Sequence, residues 1–537
     1  MVQPNPAADR FVHSTPWLAW VKTLPEELVR TRPILMLNYA QALFFIGKLE
    51  EGEFWLNQVE GLFNLETTTS ENIAVPVGME VVDQRQFREL PSAIAFTRAY
   101  LATSSGQISR AIQYSELVLK LALEDDIPKR FSAMSIKAFS NCVMGELDAA
   151  YETISYLIKK LRGLGRVSDA NSATFFLADI KTIQGRLADA SLLYESILPL
   201  LPKQEHNPHT IAFVHLGLSN LHREWGEYDL ASQHLETSLE AIKQAPLQLC
   251  QYHIALAHAN ERQSLGDLEG TLEELDKAEQ LYYRNIMPEY QTISALKARI
   301  WIKQGRLKDA QAWARKQKVS VEDALSFARE FDHITLARLL LAQYRNDGRE
   351  GTLTQVNGFL ERLNDAAKAG HRYGRLIEIL ILQALVHQAG RDKNKAMEFL
   401  QQALELAEPE AYVKIFINEG KPLELLLRAV QNRGNAADYV KKLLLGFESN
   451  SEHEKNHPRS LCADAIISLN DLLDEPLSKR EMEILKLIAQ GLSNKEISEK
   501  LFIALSSVKG HNQKIFAKLQ VQRRTEAVAR ARELAMV

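Results

Sequence analysis

Apolar residues recur at three- and four-residue spacing along nearly the whole chain, the period of amphipathic helices, and a longer period groups those helices in pairs. A glycine precedes an amphipathic stretch in Gly106-Gln-Ile-Ser-Arg-Ala111, Gly145-Glu-Leu-Asp-Ala-Ala150, Gly185-Arg-Leu-Ala-Asp-Ala190, Gly226-Glu-Tyr-Asp-Leu-Ala231, Gly266-Asp-Leu-Glu-Gly-Thr271 and Gly305-Arg-Leu-Lys-Asp-Ala310. The steps between these glycines are 39, 40, 41, 40 and 39 residues. Gly348 and Gly390 follow at 43 and 42, and Gly47 lies earlier. A period near 40 predicts stacked helix pairs. Glycine suits the turn inside each pair, where the backbone needs an angle that other residues resist. The apolar residue two positions on opens the second helix, and the small residue five positions on lets helices approach closely. One pair cannot bury its own apolar face, so neighbours must stack into a superhelix.

The pattern changes in the last sixty residues. Ser478 is followed three residues later by Glu481, and Ser493 by Glu496. In such a capping box the serine accepts from the third helical N–H while the glutamate reaches back to the cap N–H. The boxes predict short helices over Lys479–Ala489 and Asn494–Leu501, the first stopped at Gln490-Gly491. A turn, Phe502-Ile503-Ala504, leads to a third helix over Leu505–Leu519, and a fourth covers Thr525–Ala535. The third is rich in Lys, Asn, Gln and Ser, side chains that reach base edges in a DNA major groove. The fold class predicted for the whole chain is all-α: a helix-pair solenoid followed by a four-helix module containing a helix-turn-helix.

Charge sharpens the division. From Pro476 to the end there are 12 Lys plus Arg against 6 Asp plus Glu, a net of +6, whereas the remainder has 52 against 62, a net of −10. A small basic module on an acidic body is the asymmetry of a DNA-binding tail, and the overall charge of −4 hides it.

The tail resembles the LuxR-type helix-turn-helix family. The likeness is carried by Arg480-Glu481, Glu483-Ile484-Leu485, the run Gly491 to Ile497, Ser507-Val508-Lys509, His511, Lys518-Leu519, Val521 and Arg524-Thr525-Glu526-Ala527. It implies that the third helix enters the major groove and that the fourth makes a dimer contact. Two positions depart from the family pattern. Ala504 stands where Ser or Thr usually caps the third helix, and Gly510 lies inside that helix. The body looks like a tetratricopeptide-like superhelix, and with the tail it is similar to MalT-type regulators, large LuxR-family proteins with an ATPase ahead of the superhelix. Trp17 to Glu27 and Arg32 to Leu35 resemble the start of that superhelix, and Tyr412 to Gly420 through Tyr439 to Leu444 its end. The ATPase motif Gly-x-x-x-x-Gly-Lys-Ser/Thr does not occur in these 537 residues, so the nucleotide switch of the family does not carry over. The chain is expected to be the back half of such a regulator.

The domain reading is an N-terminal segment at 1–32, the superhelical effector or partner domain at 33–447, a linker at 448–473 and the DNA-binding module at 474–537. On the third helix, Lys509 and Gln513 lie one turn apart, with chemistry for guanine and adenine edges respectively. Ser506, Ser507, Asn512 and Lys514 are candidates for phosphate contacts, and Lys495 for a backbone contact from the second helix. Val508, within the matched motif, is counted with the contact residues, although its spacing with Ile497, Leu501, Ile515 and Leu519 is that of a core position.

No catalytic constellation, cofactor motif or metal-ligand spacing stands out, so no enzyme activity and no cofactor are expected. His453 and His457 are four apart but lie in the polar stretch 448–460, read as flexible. Cys142, Cys250 and Cys462 are scattered and odd in number, which points to a reduced, cytoplasmic protein. No apolar run approaches membrane-spanning length, and no membrane partner is expected. Trp225, Trp301 and Tyr283 could stack on a sugar in a groove, with burial the commoner fate of such residues. The expected partners are double-stranded DNA, a small-molecule or protein effector in the solenoid groove, and a second copy on DNA. The leading reading is a DNA-binding transcriptional regulator. The alternative is a protein-interaction scaffold whose tail has weak or lost DNA binding.

Overall fold

The computed structural model describes residues 14–46, 48–65, 73–200, 208–244, 248–281, 291–431, 436–456, 477–501, 503–519 and 521–533. Among them every regular element is a helix, and no helix is long and apolar enough to cross a membrane. The chain divides into two compact units, one of Met1–His206, Arg223–Gly226 and Arg284–Leu444, the other of Asn207–His222, Glu227–Tyr283 and Leu445–Val537.

The first unit is built from antiparallel pairs. Gln84–Ser104 runs with Ile108–Leu121, Ile127–Met144 with Leu147–Gly163, Val167–Gln184 with Leu187–Ile197, Ile293–Lys303 with Leu307–Lys316, Glu330–Asp347 with Glu350–Ala369, and Tyr373–Ala389 with Lys393–Ala407. The helix Ser14–Val21 adds Leu18 and Val21 to a core that includes Met36, Leu43, Leu56 and Phe87. The expected N-terminal segment is thus part of the body's own core from Ser14 onward. In the second unit the helices Tyr228–Gln244 and Gln248–Ser264 enclose Leu235, Leu239, Ile242 and Ile254.

Gly106, Gly145, Gly185, Gly226, Gly266, Gly305 and Gly348 all take positive φ, from 68° to 86°, as their place inside each pair requires. Gly390 does not. Its φ is −76°, and the left-handed angle falls one residue later on Arg391, at 64°. Gly47 lies outside the described residues. The small residues five positions on, Ala111, Ala150, Ala190, Ala231, Thr271 and Ala310, are all buried, which confirms close helix approach at each step.

Three of these turns meet residues far along the chain within the first unit. A Cβ on Gly145 would stand 3.0 Å from Phe327 Cβ, one on Gly226 3.0 Å from Val413 Cγ1, and one on Gly185 only 2.3 Å from the backbone nitrogen of Gly374. Polar contacts accompany them. The Val413 N–H donates to the Glu224 carbonyl at 2.8 Å, the Ala188 N–H to Glu410 Oε2 at 3.0 Å and Trp225 Nε1 to the Glu410 carbonyl at 3.0 Å. Successive turns, about 40 residues apart, therefore touch residues of later repeats in the same unit.

Those contacts decide the fate of the tryptophans. Trp225 is half-buried and bonded to Glu410, Trp313 is buried and donates to Ser294 Oγ at 3.3 Å, and half-buried Trp301 has the Arg306 guanidinium 5.9 Å from its ring centre. Tyr283 lies outside the described residues. At the end of the body the helix Ala437–Asn456 continues through the first nine positions expected to be linker. Apolar Val440, Leu443, Leu444 and Phe447 are buried along its first part. Residues 457–476, with His457 and Cys462, lie outside the described residues.

Candidate nucleic-acid interface

Four helices form the C-terminal module: Lys479–Ala489, Asn494–Leu501, Leu505–Lys518 and Arg524–Glu533. The first two have the bounds set by their capping boxes. Ser478 Oγ accepts from the Glu481 N–H at 3.3 Å while Glu481 Oε2 accepts from the Ser478 N–H at 2.8 Å. Ser493 and Glu496 repeat the exchange at 3.4 and 2.7 Å. Burial alone would raise the Glu481 pKa, but the Ser478 N–H and the Lys518 ammonium, 3.0 Å away, hold it below the usual carboxylate range. One carboxylate thus caps the first helix and ties it to the end of the third. The third helix stops at Lys518 with Leu519 as its C-cap, and the fourth starts one residue earlier than expected.

The third helix has one buried face. Val508, Ile515 and Leu519 pack with Ile484, Leu485, Ile488, Ile497, Ala527 and Ala531 in a single core. Val508 is fully buried there, so a side chain counted among the contact residues is a core residue with no surface to offer a phosphate. Asn512 is also buried. Its Nδ2 donates to Asn494 Oδ1 at 2.8 Å, and Arg524 Nη1 reaches the same oxygen at 3.3 Å. Asn512 is therefore a strut between the second and third helices rather than a phosphate ligand. The signal was in the sequence: positions 508, 512, 515 and 519 follow the apolar spacing of one helix face. Arg480 adds a further brace, donating to the Leu501 carbonyl at 2.9 Å.

The opposite face is exposed. Ser506, Ser507, Lys509, Gln513 and Lys514 all reach solvent, and so does Lys495 on the second helix. Leu505, at the first position of the third helix, is also exposed at 42%. It was not foreseen as a site residue, although a leucine off the core register at a helix start could have marked it. An exposed apolar group there has the chemistry to meet a thymine methyl. Ala504 is the N-cap, with extended backbone (φ −62°, ψ 144°) and no side-chain cap bond. The Ser507 N–H donates back to the Ala504 carbonyl at 2.9 Å, and with no side-chain cap the positive end of the helix favours an anion.

Two substitutions follow. A Cβ on Gly510 would meet nothing within 4 Å, so Gly510→Ala should stabilise the third helix by about 0.5–1 kcal/mol. Ala504→Ser supplies the missing cap, worth about 1 kcal/mol. Amide exchange across 505–518 in the full chain should slow by roughly tenfold in the double variant. Unchanged protection would contradict this account of the helix.

Comparison with known proteins agrees with this architecture. The family described as MalT-like TPR region matches residues 92–433, and the family described as bacterial regulatory proteins, luxR family, matches residues 475–531. The HTH-type transcriptional regulator MalT of Vibrio parahaemolyticus is 23% identical over 92% of this chain and 55% of its own length. That of Serratia proteamaculans is 23% identical over 83% and 50%. The chain thus spans about half the length of the curated relatives it matches. Among solved structures, the apo form of the quorum sensor NprR from B. thuringiensis gives a distant likeness, with a TM-score of 0.36 at 14% identity over 74% of this chain and 96% of that one. With more than half its length matched by one family and its exposed basic helix inside the match to the other, the chain belongs to the MalT-like TPR family and carries a luxR-family helix-turn-helix module at residues 475–531.

Proposed function

We propose that the chain is a DNA-binding transcriptional regulator whose third C-terminal helix reads duplex DNA and whose helical body receives an effector. The observation that carries the reading is the two-faced third helix. Lys509, Gln513 and Lys514 are exposed on one side, while Val508, Asn512 and Ile515 fix the other to the core. Lys509 and Gln513 are assigned to base edges. Ser506, Ser507, Lys514, Lys495 and the uncapped helix start are assigned to phosphates, and two copies would occupy adjacent half-sites. The relatives' printed names are those of transcriptional regulators, and this reading gives the chain no catalytic step and a cytoplasmic setting.

Salt tests it. If each copy neutralises about four phosphates, log affinity should fall with log salt at a slope near −3.6, roughly a hundredfold loss from 50 to 200 mM. Fluorescence anisotropy of the full chain on labelled duplex measures this. Salt-independent binding, or none at low salt, would refute the reading and favour the scaffold alternative.

A further inference from the structure

Away from the C-terminal module, the first unit gathers arginines from successive helix pairs around one buried carboxylate. Arg299, Arg338 and Arg375 come from three successive pairs, on the helices Ile293–Lys303, Glu330–Asp347 and Tyr373–Ala389, and all converge on Glu378. Arg299 Nη1 lies 2.6 Å from Glu378 Oε1, Arg338 Nη2 2.9 Å from the same oxygen, and Arg375 Nη1 3.3 Å from Oε2. Arg338 also pairs with Glu419 at 2.6 Å. The guanidiniums of Arg299 and Arg375 both lie against the Phe331 ring, 3.7 and 4.8 Å from its centre. Three guanidiniums thus gather around Glu378 and Glu419, with Asp332 near Arg299 and Glu224 near Arg375. Arg223 and Lys414 add two more cations around Glu224, which burial pushes toward its neutral form.

Arg299 uses its donors unevenly. Its Nε donates to Thr335 Oγ1 at 2.8 Å and its Nη1 to Glu378, but Nη2 is buried with no acceptor among the described residues. An ionised donor left without an acceptor in a low-dielectric setting is costly. Burial, with Arg338 and Arg375 nearby, brings the Arg299 pKa down to about 9 despite Glu378. An added anion at the exposed edge of the cluster would offset the mutual repulsion of the three guanidiniums. The cluster can also be reached, since the side chains of Arg299, Arg338 and Arg375 remain 19, 17 and 18% exposed. Planar guanidiniums fork onto carboxylate and phosphate oxygens, and Phe331 limits how those forks can turn.

We propose that Arg299, Arg338 and Arg375, organised by Glu378 and Phe331, form a binding site for the oxyanion group of a small-molecule effector. This names the chemistry of the effector invoked above and rests on that reading for its regulatory consequence, though not for the binding itself. The oxyanion has two sources, a phosphate ester or a carboxylic acid, and the arms of the test separate them.

The full chain is melted with inorganic phosphate or malonate, against sodium chloride at matched ionic strength. One of the two probes should raise the melting temperature saturably beyond chloride, and its identity tells phosphate from carboxylate. Arg299→Met should weaken that probe at least tenfold, read against the variant's own melt. Arg306→Met, at an exposed arginine paired with Asp309, should leave it unchanged. Glu378→Gln removes the internal competitor and should tighten the probe; if that variant does not fold, Arg299→Lys should bind between wild type and Arg299→Met. Stabilisation equal to that by chloride, or equal losses in Arg299→Met and Arg306→Met, would overturn the site. DNA affinity is measured with and without the saturating probe. A probe that binds at the arginines and leaves DNA affinity unchanged keeps the site but removes the body's regulatory role.

Discussion

Gly185→Ala should lower the melting temperature of the full chain far more than Gly106→Ala. Both glycines occupy the same turn of their repeat with left-handed backbone, φ 84° and 74°, so each substitution incurs the cost of placing a Cβ there, about 1–2 kcal/mol. At Gly106 the new methyl would meet nothing within 4 Å, whereas at Gly185 it would lie 2.3 Å from Gly374 N and 3.1 Å from Gly374 Cα. Backbone stands on both sides of that overlap, so no side-chain rotation relieves it. The turns must part, and the contacts from Ala188 and Trp225 to Glu410 and from Val413 to Glu224 would loosen with them. A total near 3–5 kcal/mol, at the high end for one substitution, corresponds to a fall of roughly 4–6 °C in a unit of several hundred residues. Melting followed by circular dichroism measures both variants. Equal falls would mean that the lateral contact contributes nothing to stability.

Lys509→Ala should weaken binding to the chain's specific site by roughly 10- to 100-fold, the worth of about 1–3 kcal/mol expected for a base-reading side chain. Lys486→Ala should change it less than twofold. Both lysines are exposed, and each substitution removes one positive charge, so a purely electrostatic tail would feel them alike. They differ in position. Lys486 sits on the first helix, whereas Lys509 rises from the exposed face of the third, one residue past the buried Val508 that fixes that helix. The loss at Lys509 should be much smaller on non-specific duplex, because a base contact has no counterpart there. Equal losses for the two variants on specific DNA would refute the assigned orientation.

Much of this was legible because it is local. Capping boxes at Ser478 and Ser493 marked two helix starts, and Gly491 marked a stop, so those bounds were set by neighbouring residues alone. The repeat glycines worked the same way until Gly390, where the helix end slipped one residue and put Arg391 in the left-handed turn. The contacts across the stack were not legible. Gly185 and Gly374 are far apart in the chain, and nothing in either neighbourhood encodes their meeting. Polar residues misled for a related reason. Asn512 reads as surface until Asn494 is brought beside it. Arg299, Arg338 and Arg375 read as separate solvated charges, although their separations of 39 and 37 residues, close to the repeat step, hinted that one helix stack would gather them. The polar run from 448 reads as linker because residues 448–456 contain no apolar side chain, and the helix that enters it is anchored by Val440, Leu443, Leu444 and Phe447 before it.

The central claim is that the third C-terminal helix reads DNA sequence. Selection of bound duplexes from a random pool by the full chain tests it most directly, run in parallel with the Lys509→Ala variant. The account predicts one enriched half-site for the wild-type chain, with discrimination lost at one or two positions for the variant. An unenriched pool, or the same motif at the same strength from both proteins, would contradict it.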